Sequence, residues 1–308
     1  MLKGRMLCGG SGKQHNKQAE SLSLRIRMRR HKSAFTGFLF ILPSLGGVSI
    51  FVLVPFMDVI RRSFHSAVAE EWTGLANYRM LMDSSAFRLA AVNTLKFEAV
   101  CIPVLILLSL IIGVVLQKQQ VFGSILKSAF LVPMAIPVAS VVLLWRVLFD
   151  TQGLLNGLLA RFHYSAVDWM NSNFAFWVLT FSYIWKNLGY DIVLWMAGLS
   201  GIPDSLYEAA KVDGADSFKC FIHITIPNLK STLYTITVLS FLNSFKVFRE
   251  SYLAAGNYPH ESMYLLQNLF QNWFRDMDFD KLAAAAVLMV LVLLILVRFL
   301  QRAWDREE

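Results

Sequence analysis

Six apolar runs decide what this chain can fold into. They lie at roughly 35–57, 92–116, 128–149, 174–199, 232–255 and 282–303. Each is about the 20 residues an α-helix needs to cross the hydrocarbon core of a bilayer. In lipid each backbone amide and carbonyl must be satisfied within the segment, so runs of this kind fold as helices. The whole chain agrees: 56% of its 308 residues are hydrophobic and the mean hydropathy is +0.51, too apolar for a soluble domain of this length. The expected fold is all-α, a polytopic membrane protein with six transmembrane helices. Pro103 in the second run and Pro133 and Pro137 in the third point to helices packed in a bundle, where neighbours can satisfy the carbonyls a proline frees.

Charge orients the spans. Lys3, Arg5, Lys13, Lys17, Arg25, Arg27, Arg29, Arg30 and Lys32 precede the first run, with Glu20 the one acid among them. Lys118 and Lys127 follow the second run, Lys211, Lys219 and Lys230 the fourth, and Arg302 and Arg306 the sixth. The positive-inside bias therefore puts both termini and the 200–230 connection in the cytoplasm. Residues 1–34 read as a basic cytoplasmic tail with no packed core. Attraction of that tail to anionic lipid is a simpler account than nucleic-acid binding. The apolar run from Phe35 is too long for the core of a signal peptide, and no small-x-small cleavage site ends it.

Chemistry of the enzymatic kind finds no footing. The six histidines lie in tails, loops or span ends, without the spacing of a metal site. Cys8, Cys101 and Cys220 form neither a disulfide framework nor a metal-spaced cluster. Gly9-Gly10-Ser11-Gly12-Lys13 lacks the glycine placement of a phosphate loop, and Gln14 stands where Ser or Thr would bind magnesium. This chain is expected to be no enzyme, with no metal site and no cofactor of its own.

Between the fourth and fifth runs lies the longest polar insert, and it carries its own fold signals. Ser205-Leu206-Tyr207-Glu208 has the form of a capping box, which places Glu208 in the first turn of a helix running to about Val212. Asp213-Gly214 stops that helix, since glycine tolerates the left-handed turn of a helix end. Asp216 can cap a second helix, with Phe218, Phe221, Ile222 and Thr225 at helical spacing and Pro227 as its end. The expectation is a helix-turn-helix with Glu208 and Lys211 on its wet face.

Glu208-Ala209-Ala210, Gly214 after three residues, then Ile224 and Ile226-Pro227 resembles the EAA motif of ABC importer permeases, with Ile226 in place of leucine. The fuller form, YEAA with a following DGA at Asp213–Ala215, is similar to the carbohydrate-importer branch that takes up maltose, glycerol phosphate and oligosaccharides. Ser231 stands where that family often has a further proline. The resemblance implies that 35–308 is the permease domain of a multi-pass protein of the bacterial inner membrane. It implies as partners a second permease subunit, two cytoplasmic ATPase subunits that use ATP and magnesium, an extracytoplasmic sugar-binding protein and membrane lipid. No nucleic acid is expected. Residues 205–227 would seat on an ATPase subunit, with Glu208, Ala209, Ala210, Asp213, Gly214, Ile224 and Pro227 carrying the coupling.

Polar residues inside the fourth and fifth runs suggest where cargo would pass. At the helical rise Asn187 lies about 21 Å from Gly201, and Asn243 about 24 Å from Pro227, so the two share a depth near the bilayer midplane. Hydrogen bonding between helices accounts for such residues as readily as a sugar does. The resemblance implies substrate contacts in these two helices at or near Asn187, Tyr190, Ser240, Asn243 and Ser244. A competing reading is an ion-coupled secondary transporter or channel using Lys186 and Asp191, which stand five residues apart and roughly 140° around a helix. Outside the spans, Trp72 to Tyr78 in the 63–90 segment reads as a turn into a short helix at the membrane edge.

Overall fold

A computed structural model describes residues 38–66, 69, 71–117 and 123–305. The basic tail at 1–34 and the start of the first run lie outside them. The described chain falls into two compact units that divide after Arg61.

The first unit is the helix α1, Phe38–Ser63, whose last two residues pass the division. Up to Met57 its large side chains are apolar on every face, with Phe40 and Phe51 about four-fifths exposed, and Asp58, Arg61 and Arg62 follow in its last turns. A helix apolar on every face suits lipid rather than water. Its turn Ser49–Leu53 is a π-helix, two residues before Pro55. The proline ring would crowd the carbonyl four residues back, Phe51, and the wider π register relieves that carbonyl.

Among the described residues the second unit consists of helices joined by turns and loops, with one antiparallel bridge between His65 and Trp72. Its order is α2 Ala76–Asp83, α3 Ser85–Gln117, α4 Gly123–Ala135, α5 Val138–Phe149, α6 Leu154–Arg161, α7 Ala175–Ser200, α8 Asp204–Val212 and α9 Ser217–Cys220. Then follow α10 Lys230–Ser244, α11 Phe248–Ala255, α12 Leu266–Arg275 and α13 Phe279–Asp305. Among the described residues four stretches are long and apolar enough to cross a membrane: Phe38–Ser63, Ser85–Gln117, Val138–Arg161 and Phe279–Arg302. The expected fourth run is a continuous helix of 26 residues, α7, but Lys186, Asn187 and Asp191 keep it out of that class.

Local chemistry moved several expected boundaries. The third run breaks at Ile136-Pro137, because Pro137 has no amide to donate and pushes the residue before it out of helical geometry. The fifth run tightens into a 3₁₀ turn at Phe245–Val247 between α10 and α11. The second run starts earlier than its apolar composition suggested, at Ser85, whereas Pro103 is carried inside α3.

The core is built on α3 and α7, which pack along one another. Phe97, Cys101 and Leu105 of α3 meet Ala175, Leu179 and Tyr183 of α7, with Val247, Met263 and Leu265 closing the cluster. Farther along, Gly113 of α3 lets the Trp195 side chain come close; a Cβ there would stand 3.1 Å from it. At Gly189 a Cβ would collide with the backbone carbonyl of Phe130 in α4, so α4 and α7 touch backbone to backbone. Gly198 makes the same allowance for Thr232 of α10. These contacts pin α4 and α10 to α7.

Each end of the bundle has its own apolar seal. At one end Leu81, Phe87, Ala90, Tyr264, Leu269, Trp273, Ala284 and Ala285 join α2, α12 and the starts of α3 and α13. There Gly74 turns the chain with φ +59 into α2, and Asn77 donates to the carbonyls of Ser63 and His65. At the other end Trp195, Leu199, Ile202, Leu229 and Ile236 form the seal, joined by Tyr207 and Ile224 of the polar insert.

Candidate functional site

Two places carry polar chemistry that the packing does not require. The first is the insert between α7 and α10. Helix α8 begins two residues earlier than its sequence suggests, with Pro203 rather than Ser205 as N-cap and no side-chain cap. The expected capping box is therefore not formed. Asp204 is the first-turn carboxylate, and Glu208 stands a turn farther on, exposed beside Lys211. The stop works as expected. Ala215 N–H donates to the carbonyl of Ala210 and Gly214 N–H to that of Lys211, with Gly214 at φ +75. That is a Schellman ending, which only glycine adopts without strain. Asp216 then caps α9 by accepting from the Lys219 amide at 2.7 Å.

The second helix does not end at Pro227. It runs from α9 through a π turn, Phe221–Thr225, into Ile226–Asn228, and only Leu229 separates it from α10. Here again a π turn comes just before a proline, and the relieved carbonyl is that of His223. Tyr207 Oη and Thr225 Oγ1 share a hydrogen bond of 2.9 Å that ties the two short helices together. Ile224 is half-buried against the end of the bundle, and Ala210 is half-buried too. Glu208, Ala209, Asp213, Gly214 and Pro227 are exposed. So are Leu206, Val212, Phe218, Ile222 and Ile226, with Val212 88% and Phe218 70% exposed. The insert is firmly seated on one side and apolar on the other.

The second place is a cavity of about 130 Å³ between α7 and the α10–α11 segment. Met134, Val138, Tyr183 and Val247 supply its apolar lining, and Lys186, Asn187, Asn243, Lys246, Arg249 and Glu250 its polar one. Lys186 Nζ lies 2.7 Å from Glu250 Oε1, with both side chains largely out of water. The other oxygen of Glu250 is buried without a hydrogen-bond partner. Lys246 Nζ donates to Asn243 Oδ1 at 2.8 Å, and Asn187 donates to the Tyr183 carbonyl of its own helix.

Of the five residues expected along a substrate path, the structure brings Asn187 and Asn243 to this cavity. Ser240 and Ser244 are buried elsewhere in hydrogen bonds between helices. Ser240 donates to Asp191 at 3.0 Å and Ser244 to Glu98 at 3.2 Å, while the Tyr183 hydroxyl donates to the Ser240 carbonyl. Tyr190 is half-buried and off the cavity. Lys186 and Asp191 do not pair with one another: each takes a different partner. Sequence reasoning passed over Glu98, Arg249 and Glu250. The signal was there, since an ionisable residue within an apolar run is costly unless it has a partner or a task.

A family described as a binding-protein-dependent transport system inner membrane component matches residues 105–307. The chain is 29% identical to a trehalose/maltose transport system permease protein of Thermococcus litoralis, over 91% of this chain and 97% of that one. It is 30% identical to an arabinooligosaccharides transport system permease protein of Bacillus subtilis, over 84% of this chain and 85% of that one. A solved bacterial ABC transporter involved in the import of the acidic polysaccharide alginate shares the fold, with a TM-score of 0.79 at 20% identity over 91% of this chain and 98% of that one.

Proposed function

The chain belongs to the binding-protein-dependent transport system inner membrane components, the permease subunits of ABC importers, and on that premise we propose that it forms part of the path of a sugar or oligosaccharide. The names of the two curated relatives support that cargo. The membrane is crossed six times, by α1, α3, α4 with α5, α7, α10 with α11, and α13. Helix α7 spans about 39 Å at the helical rise, long enough to cross, and its polar residues face protein and cavity rather than lipid. Both termini and the insert lie in the cytoplasm of a bacterial cell, on the strength of the basic residues around them. The partners are a second permease subunit, two ATPase subunits that bind and hydrolyse magnesium ATP, and an external binding protein that delivers the sugar.

The observation that carries the mechanism is the two-sided insert. Its exposed apolar residues, Leu206, Val212, Phe218, Ile222 and Ile226, are what a groove on an ATPase subunit would cover, and a bare apolar patch on a polar loop marks a docking surface. Its inner side, Tyr207 and Ile224, is packed onto Trp195 of α7 and Ile236 of α10. Closure of the ATPase subunits on ATP would therefore move α7 and α10 as rigid bodies. The cavity between α7 and α10–α11 would then open to one side or the other. Glu208 and Lys211 supply the charged contacts at the edge of the groove.

Glu208→Lys tests this. The variant should insert normally, since no spanning helix is touched, yet co-purify poorly with the ATPase subunits and lose most sugar uptake. Full co-purification together with undiminished uptake would reduce the insert to a connector. An ion-coupled mechanism through Lys186 and Asp191 has no pair to work with, because those side chains bond to Glu250 and Ser240 instead.

A further inference from the structure

The charge of the cavity is out of balance. Lys186, Lys246 and Arg249 line it against a single carboxylate, Glu250. That carboxylate is already held by Lys186 at 2.7 Å. Glu250 is also one helical turn from Lys246, where an ion pair along the helix is possible. Lys246 instead donates to the neutral amide oxygen of Asn243, a contact that leaves its charge uncompensated. Arg249 is exposed, and no hydrogen bond or ion pair engages it among the described residues. Asn243, Lys246 and Arg249 recur at intervals of three, so they share one face of the α10–α11 segment.

A neutral sugar has no use for such a face. Amides, hydroxyls and an aromatic ring suffice to hold one, whereas Lys246 and Arg249, both exposed, present at the cavity two positive charges that no carboxylate engages among the described residues. A carboxylate or phosphate on the cargo would supply the missing charge. The guanidinium of Arg249 offers the planar fork that grips either group with two parallel bonds, and Lys246 a mobile point charge beside it. Asn187 and Asn243 remain for hydroxyls. Resting on the carbohydrate-importer reading above, we propose that Lys246 and Arg249 select an anionic carbohydrate, one bearing a carboxylate or a phosphate, at this chain's share of the substrate path.

The test uses the complete importer in proteoliposomes, with both permease subunits, the ATPase subunits and the binding protein. Uptake of three probes is compared at equal concentration: a digalacturonate for the carboxylate, glucose 6-phosphate for the phosphate, and maltose as the neutral control. The expected result is uptake of one anionic probe well above maltose, and which of the two it is identifies the anionic group. The double variant Lys246→Gln, Arg249→Gln should lower uptake of that probe by about tenfold or more, as loss of charge-assisted hydrogen bonds implies. Lys246→Arg with Arg249→Lys, which keeps both charges, should restore much of it.

Uptake of maltose alone overturns the charge selection and leaves the carbohydrate reading standing. Uptake of none of the three overturns both. Anionic uptake that the double glutamine variant leaves unchanged also overturns the proposal. So does a glutamine variant whose sole defect is failure to assemble with the second permease, because the two cations would then be interface residues.

Discussion

Two glycines in the second unit do opposite work, and they mark the difference between the insert and the cavity. Gly214 has φ +75 and nothing within 4 Å of where a Cβ would stand. It is required by the backbone alone. Gly189 has room for no side chain at all, because the Phe130 carbonyl of α4 occupies the space. It is required by a neighbour about sixty residues away in sequence. The insert is thus made by local rules, caps and turns that act within a few residues. The cavity region is made by helices that pack because their surfaces match. A local element can be altered without unfolding the bundle, whereas the cavity walls cannot be shifted without disturbing the packing that holds them.

That contrast is sharpest at its two glycines. Gly189→Leu should be the most damaging single change, since α4 must move away from α7 to admit the side chain. A cost of about 3 kcal/mol or more is expected from overpacking of this severity. Size-exclusion profiles and thermal melts of the solubilised complex should show little folded material; a normal melt would mean that the backbone contact is not what holds α4. Gly214→Val comes next, at about 2 kcal/mol, from a β-branched side chain forced into left-handed geometry. Its melt should be close to that of the unaltered chain, whereas recovery of the ATPase subunits should fall. Should the melt collapse instead, the insert is part of the core and the contrast breaks.

Smaller effects sharpen the comparison further. Asn243→Leu removes the acceptor of Lys246 and should lower uptake by about tenfold, equivalent to about 1.4 kcal/mol, with assembly and nucleotide binding intact. Normal uptake, or failure to assemble, would make Asn243 a packing residue. Tyr207→Phe is expected to be mildest. It deletes the bond to Thr225 and should cost about 1 kcal/mol, seen as faster amide exchange in Asp204–Val212 and nowhere in the bundle. Exchange that quickens equally along α7 would show that the two short helices are not held by that bond.

Legibility followed the same division. Asp213-Gly214 and Asp216 could be read from the sequence because each acts on amides or carbonyls within five residues. Ser205-Glu208 was misleading for a related reason. Pro203 and Asp204 already start the helix, so the Ser205 hydroxyl is inside it and has no free end to cap. Pro227 misled in another way: a π turn absorbs a proline that would end a regular α-helix, and nothing in composition announces which outcome the packing prefers. Asn187 and Asn243 reached one cavity because rise per residue is a constant, and depth can be counted.

By itself, the sequence determined that the chain is helical and built for lipid, where the EAA-like insert sits, and which glycine and aspartate shape it. Those properties depend on composition and on interactions a few residues long. Only the tertiary structure decided that Lys186 bonds Glu250 rather than Asp191, that Ser240 and Ser244 belong to Asp191 and Glu98, and that Lys246 and Arg249 line a cavity with Asn243. Such pairings depend on how helices distant in sequence are rotated against one another. That rotation is set by summed side-chain packing, at places such as Gly189 against Phe130, which no stretch of sequence contains on its own.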